Sequence, residues 1–98
     1  MVPPPAGELA SLKGRLLEET LPPEERAGVE LQLGTAHCRL GEMDQALLHL
    51  TSARRSFEKA ADRRKGAQAD TMIGMVCVAR GEHERAVTFL DRARATAE

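Results

Sequence analysis

The chain contains an internal repeat with a period of 40 residues. The same order of small and large apolar residues occurs twice, each residue of the second copy lying 40 positions after its counterpart: Leu33-Gly34, Ala46, Leu50 and Ala53, then Ile73-Gly74, Ala86, Leu90 and Ala93. A fixed period of this length is typical of repeat proteins, in which each unit buries its apolar face against the next. The repeat therefore predicts two stacked copies of one structural unit.

Apolar residues recur at helical spacing through both copies and through the segment that precedes them. This spacing predicts five amphipathic helices, at about residues 7–19, 23–40, 43–64, 67–80 and 83–98. Pro22-Pro23 ends the first helix, Gly41 and Gly81 cap the second and fourth, and Gly66 is expected to end the third. Because the predicted loops are short, neighbouring helices must pack antiparallel. The predicted fold class is all-α, with antiparallel helical hairpins stacked as a solenoid.

The repeat and the helices together divide the chain into four segments. We expect a disordered lead, a packing helix with a Pro-Pro linker, and two repeats, at residues 1–6, 7–22, 23–66 and 67–98 respectively. A chain of 98 residues is one domain at most.

Gly34 and Gly74 lie in the middle of predicted helices, where a glycine costs about 1 kcal/mol relative to alanine. This repeated loss of helix propensity is explained if each glycine is the point of closest contact within a hairpin. Small residues on the opposing helix, beginning with Ala46 and Ala86, then let the two backbones approach. We therefore expect both glycines to be buried against the helix that follows.

The composition argues against several classes of partner and location. With 14 basic and 15 acidic residues the formal net charge is −1, which gives no long-range field to attract nucleic acid or an anionic membrane. No apolar run approaches the roughly 20 residues that span a bilayer, and residues 1–5 lack the features of a secretory signal. Cys38 and Cys77 stand outside any disulfide framework, so we expect free thiols in a reducing compartment. The predicted location is the cytoplasm.

The residue types of catalytic and metal sites are present but not in the required spacing. No zinc motif can be assembled from the five candidate ligands, His37, Cys38, His49, Cys77 and His83. No nucleophile elbow, phosphate loop or pair of carboxylates appears. Basic residues between Arg54 and Lys65 are interrupted by Glu58 and Asp62 and lack aromatic neighbours that would stack on bases. We predict that the chain is not an enzyme, holds no metal or cofactor, and does not bind nucleic acid.

The pattern Leu33-Gly34-x-x-His37, Ala46-x-x-x-Leu50 and Ala53, with its second copy, resembles the tetratricopeptide repeat (TPR). The signature of that family is W-x-x-L-G-x-x-Y, A-x-x-x-F and P at a period of 34 residues. The longer period here is similar to that of the extended subclass of polarity scaffolds and bacterial peptide-receptor regulators. The resemblance covers about residues 24–97 and implies a right-handed solenoid. Its departures from the signature are Glu30 and Asp70 for tryptophan, His37 and Cys77 for tyrosine, Leu50 and Leu90 for phenylalanine, and Glu58 for proline.

The resemblance also implies that the first helix of each hairpin lines a concave groove. Eight residues occupy the corresponding positions, namely Leu31, Thr35, Cys38, Arg39, Thr71, Met75, Val78 and Ala79. They predict a groove that binds a peptide or a partner helix. The alternative is that this stripe packs against the N-terminal helix or another copy of the chain. Members of the family that hold a terminal carboxylate place Lys and Asn where Leu31, Thr35 and Thr71 stand here, so no such clamp is expected.

Two further functions remain open from the sequence. Val87 and Phe89 are predicted to face outward on the last helix, where a following repeat would cover them. This end is therefore a candidate assembly surface, either for a homo-oligomer or for a longer array of repeats. Resemblance to the bacterial receptors implies the other function, a regulatory domain that senses a signalling peptide.

Overall fold

The computed structural model describes residues 5–17 and 21–97. Those residues form five α-helices and no strand: α1 (Pro5–Leu16), α2 (Pro23–Arg39), α3 (Met43–Lys59), α4 (Arg63–Ala79) and α5 (His83–Ala97). Each helix packs mainly against its neighbours in the chain. The predicted all-α stack of helical hairpins is confirmed. Most of the predicted N-terminal lead lies outside the described residues, although α1 begins at Pro5.

The three turns that join α2 to α5 have the same backbone conformation. Each contains one residue with a positive φ, which is 76° at Gly41, 57° at Ala61 and 78° at Gly81. In each turn the next backbone N–H donates to a carbonyl five residues earlier, with N–O distances of 2.8 to 2.9 Å. This bond closes the end of the preceding helix and fixes where the chain reverses.

The boundary between α3 and α4 differs from the prediction. The third helix ends at Lys59 rather than at residue 64, and the fourth begins at Arg63 rather than at residue 67. Ala61 reverses the chain in the left-handed conformation, and Asp62 Oδ1 accepts a hydrogen bond of 3.1 Å from the Lys65 backbone N–H. The basic residues after Asp62 therefore lie in the first turn of α4, and Gly66 lies inside that helix. With this correction, α2 and α4 begin 40 residues apart, as do α3 and α5.

The core is built from three clusters of buried side chains. The first joins α1 to α2 and contains Leu9, Leu12, Leu21, Val29, Leu33 and Ala36. The second joins α3, α4 and α5 and contains Ala46, Leu50, Ile73, Val76, Cys77 and Ala86. The third contains Ala27, Ala53 and Phe57. The N-terminal helix thus packs on the main apolar stripe of α2.

Both mid-helix glycines are buried at the closest approach of their hairpins, as predicted. A Cβ atom added at Gly34 would lie 2.5 Å from Leu50 Cγ and 3.3 Å from the carbonyl oxygen of Ala46. At Gly74 the corresponding distances, to Leu90 Cγ and the Ala86 carbonyl oxygen, are 2.7 and 3.5 Å. In each contact the leucine side chain supplies the nearest atoms, and the carbonyl oxygen of the alanine lies slightly further from the glycine.

Candidate partner-binding surface

A shallow cleft lies between α2 and α4, the first helices of the two hairpins. It has a volume of about 340 Å³ and is lined by Leu31, Thr35, Gln68, Thr71 and Met72. The cleft exists because these two helices touch at only a few points, while α3 packs against both of them. Its lining carries no charged side chain, so the surface it offers is apolar with isolated polar groups.

Three of the eight predicted groove residues meet in this cleft. Leu31 and Thr35 are half-buried on α2, and Thr71 is exposed on α4. The sequence analysis did not name the other two lining residues, Gln68 and Met72, although Gln68 lies one turn before Thr71 and Met72 one turn after Gln68. Cys38, Arg39, Met75, Val78 and Ala79 lie outside the cleft.

Hydrogen bonds within the helices satisfy both threonines of the cleft. Thr35 Oγ1 donates to the Leu31 carbonyl oxygen and Thr71 Oγ1 to that of Ala67, each at 3.0 Å. The hydroxyl hydrogens are therefore engaged, so each threonine can offer a ligand only its methyl group and a hydroxyl oxygen that accepts. Gln68 is exposed and brings the one side-chain amide of the lining. This arrangement favours an apolar ligand side chain beside one group, the Gln68 amide, that can donate a hydrogen bond.

Of the five remaining groove candidates, one is half-buried and four are exposed. Cys38 is half-buried against the second core cluster, and burial raises the pKa of its thiol. Met75 and Val78 are 58% and 49% exposed, and they continue the apolar surface toward the C-terminal end of α4. Arg39 and Ala79 lie at the exposed ends of their helices.

The two predicted assembly residues have different environments. Val87 is 56% exposed on α5, and Leu90, one turn further, is 38% exposed. Phe89 is not an outward-facing residue, because it is half-buried against the second core cluster. The guanidinium carbons of Arg54 and Arg92 lie 5.8 and 5.9 Å from the centre of its ring. Of the pair, only Val87 presents a largely open side chain.

A second cleft, of about 410 Å³, lies where α3, α4 and the end of α5 meet. At its edge Arg54 Nε lies 2.7 Å from Oδ1 of Asp70, a residue only 8% exposed. Burial raises the pKa of Asp70, and the charge of Arg54 opposes that rise. The lining carries three arginines and three carboxylates, so its formal charges balance.

Two histidines stack between α2 and α3. The ring of His37 lies parallel to that of His49, with centroids 5.4 Å apart, and His37 Nδ1 is 3.0 Å from Glu42 Oε1. Burial lowers the pKa of His49, His37 and Lys13 lower it further, and Glu30 opposes the change.

In the described ranges no group of three or more His, Cys, Asp or Glu side chains is arranged to hold a metal ion. None of the described helices combines the length and apolar composition needed to cross a bilayer.

Comparison with known proteins gives one match. A family model described as a tetratricopeptide repeat matches residues 25–98, which include both hairpins. No curated protein and no solved structure matches the chain. The match begins in the first turn of α2 and leaves out α1.

Proposed function

Since the chain belongs to the tetratricopeptide repeat family, whose members are generally protein-interaction modules, we propose that it binds a peptide or a partner helix in the cleft between α2 and α4. The observation that carries this proposal is the uncharged cleft between the first helices of the two hairpins. Concave surfaces between stacked helical repeats are the usual place for extended ligands.

The lining residues suggest the chemistry of the ligand. The threonine hydroxyl hydrogens are bonded within their own helices, so a ligand gains most by burying apolar side chains against Leu31 and Met72. The Gln68 amide can pair with one backbone group of the ligand. Because no Lys or Arg lines the cleft, recognition does not depend on a terminal carboxylate. We infer that the ligand is an apolar segment inside a longer chain.

A selection with displayed peptides tests this proposal. A phage-displayed library of random dodecapeptides is selected on the intact chain, and the enriched peptides are measured by fluorescence anisotropy. Thr71→Trp fills the cleft from an exposed position, whereas Leu48→Trp alters a side chain that is 72% exposed on α3. We expect apolar motifs that bind wild type and Leu48→Trp equally, and at least about tenfold weaker binding to Thr71→Trp. Equal binding to all three proteins would refute the cleft as the site.

Self-assembly is the second candidate function. The observation that favours it is the exposure of Val87 and Leu90 on α5, since neighbouring apolar residues left open to water indicate an interaction surface. Sensing of a signalling peptide remains a hypothesis that would use the same cleft. It predicts that one short sequence dominates the selection, whereas a general interaction module enriches a family of apolar motifs.

The proposed function involves no catalytic step and no cofactor. We place the chain in the cytoplasm, and the support is that Cys38 and Cys77 are both free thiols, which persist in a reducing compartment. Cys77 is fully buried in the second core cluster, where a small apolar side chain suffices.

A further inference from the structure

The two halves of α4 are packed differently. The C-terminal half, residues 72–79, contributes three side chains to the second core cluster, which joins it to α3 and α5. The N-terminal half, residues 63–71, contributes none to the three buried apolar clusters formed by the described residues. It borders two clefts instead, because Gln68 and Thr71 line the cleft against α2 and Asp70 lines the one of about 410 Å³.

A missing aromatic ring accounts for the looser packing of the N-terminal half. In the first repeat Phe57, 1% exposed, packs with Ala27 and Ala53 and so joins the start of α2 to α3. The residue 40 positions after Phe57 is Ala97, which offers a methyl group in place of a ring. The second repeat therefore has less apolar area to bury at the same point. Ala67, the equivalent of Ala27, is only half-buried in the wall of the larger cleft.

The local sequence also gives the N-terminal half of α4 little stability as a helix. Residues 63–65 are all basic and no acidic residue lies in the first turn, so these charges oppose the helix dipole. Gly66, a poor helix former, follows them. The start of α2 has the opposite character, with Pro23 as its first residue and Glu24 and Glu25 in its first turn.

A buried ion pair ties this half of α4 to the first repeat. Arg54 Nε of α3 lies 2.7 Å from Asp70 Oδ1, and the two side chains are 20% and 11% exposed, so solvent screens their attraction little. Oδ1 receives no N–H in hydrogen-bonding geometry, so charge rather than a directed bond holds the pair. The Asp62 cap and the Lys65 ammonium, 5.9 Å from the centre of the Phe57 ring, add contacts at the exposed start of the helix.

We propose that the N-terminal half of α4 opens as a unit while the rest of the fold stays intact, and that the Arg54–Asp70 ion pair holds it closed. Local opening is expected where few apolar contacts and weak helix propensity coincide. Since Gln68 and Thr71 lie on this segment, opening removes one wall of the cleft between α2 and α4. The effect on ligand binding rests on the proposed function, whereas the opening itself does not.

Hydrogen exchange of the intact chain, followed by NMR, tests the proposal. We expect the amides of residues 67–71 to exchange at least about tenfold faster than those of residues 73–79, after correction for intrinsic rates. Asp70→Asn removes the charge with little change of shape. It should speed exchange at residues 67–71 by about tenfold more and change residues 73–79 less than about twofold.

Two further variants make the test specific. Asp44→Asn is the matched control, because Asp44 also joins α3 to α4, through Arg80 Nη1 at 2.8 Å, but at the other end of the two helices. It should leave exchange in both halves of α4 unchanged. Arg64→Glu introduces the residue of the first repeat, Glu24, at an exposed position and should slow exchange at residues 67–71 about threefold.

Each outcome has a defined meaning. Equal exchange in the two halves of wild-type α4, or an equal change of both halves in Asp70→Asn, overturns the separate opening. Asp44→Asn acting as strongly as Asp70→Asn overturns the role of the buried pair, as does faster exchange in Arg64→Glu. A peptide enriched in the selection, at ten times its dissociation constant, should slow exchange at residues 67–71 about tenfold. Absence of that slowing refutes the cleft as the binding site, while the opening is judged on the free chain alone.

Discussion

The two repeats have the same backbone conformation at their turns but differ in what surrounds them. Gly41 and Gly81 close equivalent turns with φ values 2° apart, 76° and 78°. Leu50, however, is fully buried, whereas its equivalent Leu90 is 38% exposed. The difference arises because α4 covers α3, while no described helix covers the same face of α5. Contacts inside a hairpin follow from the repeated residues, whereas burial of its outer face follows from the neighbour.

At two pairs of equivalent positions the side chains differ in a direction that solvation alone does not explain. Thr35 and Cys38 of the first repeat are half-buried, and their equivalents Met75 and Val78 are more exposed. If water contact had selected these side chains, the more exposed copy would be the more polar one. At these two pairs the more exposed residue is instead the more apolar, whereas Thr71 is both more exposed and more polar than its equivalent Leu31.

The largest expected effect is the difference in stability loss between truncating Leu50 and truncating its equivalent Leu90. Leu50→Ala should lower the free energy of unfolding by about 3 kcal/mol, because it empties a fully buried site. Leu90→Ala should lower it by about 1 kcal/mol, because part of that side chain is already in water. Urea unfolding followed by circular dichroism, at a concentration low enough to avoid association, measures both. Equal losses would mean that α5 is as well covered as α3.

Replacing the mid-helix glycines with alanine should also destabilise the first repeat more than the second, but by less than replacing the leucines. Gly34→Ala sets a Cβ against buried Leu50 and should cost about 1–2 kcal/mol despite the gain in helix propensity. Gly74→Ala should be close to neutral, because Leu90 can turn toward solvent. Unfolding of Gly34→Ala combined with Leu50→Ala provides the control, since removing the leucine should relieve the clash. A larger cost at Gly74 would contradict this account.

The turn between the repeats offers a stabilising change of about 1 kcal/mol. Ala61 adopts a φ of 57°, a conformation that its equivalents Gly41 and Gly81 adopt without strain. Ala61→Gly should therefore raise the free energy of unfolding, and Gly41→Ala should lower it by a similar amount. Ala61 is exposed, so no packing is lost. A melting temperature that is lower in Ala61→Gly than in wild type would show that Ala61 is not strained.

The smallest effect concerns pH and distinguishes His49 from its equivalent, Phe89. Burial, then the neighbouring His37, lowers the pKa of His49 below its ordinary value of 6.5. Folding thus favours the neutral ring, so its contribution to stability is complete above pH 6.5 and is lost as the pH falls through the lowered pKa. Because the ring is only half-buried, solvent screens these interactions and the loss is small.

Replacing the histidine tests that pH dependence. His49→Phe introduces the residue of the second repeat and should flatten the fall in stability as the pH drops below 6.5. His83→Gln, at an exposed position, is the matched control and should leave the profile unchanged. A profile that keeps its slope in His49→Phe would assign the acid sensitivity to other groups.

The sequence predicted the elements that depend on local spacing and predicted less well those that depend on neighbours. The five helices and the close contacts at Gly34 and Gly74 are confirmed. The predicted end of α3 was wrong, because Ala60 and Ala61 are good helix formers that continue the apolar period of that helix. Three of eight groove residues meet in the cleft, since the pattern of one helix does not show which residues the next helix faces.

The amino-acid sequence by itself determined the period of 40 residues, the helical hairpins and the glycine at each close approach. These features follow from backbone sterics and from apolar spacing, which act within a few turns of chain. Only the tertiary structure decided that Ala61 reverses the chain, that two arginines lie near the Phe89 ring and that Leu90 stays partly exposed. Each of these depends on which helix lies alongside, and packing between helices outweighs local preference there.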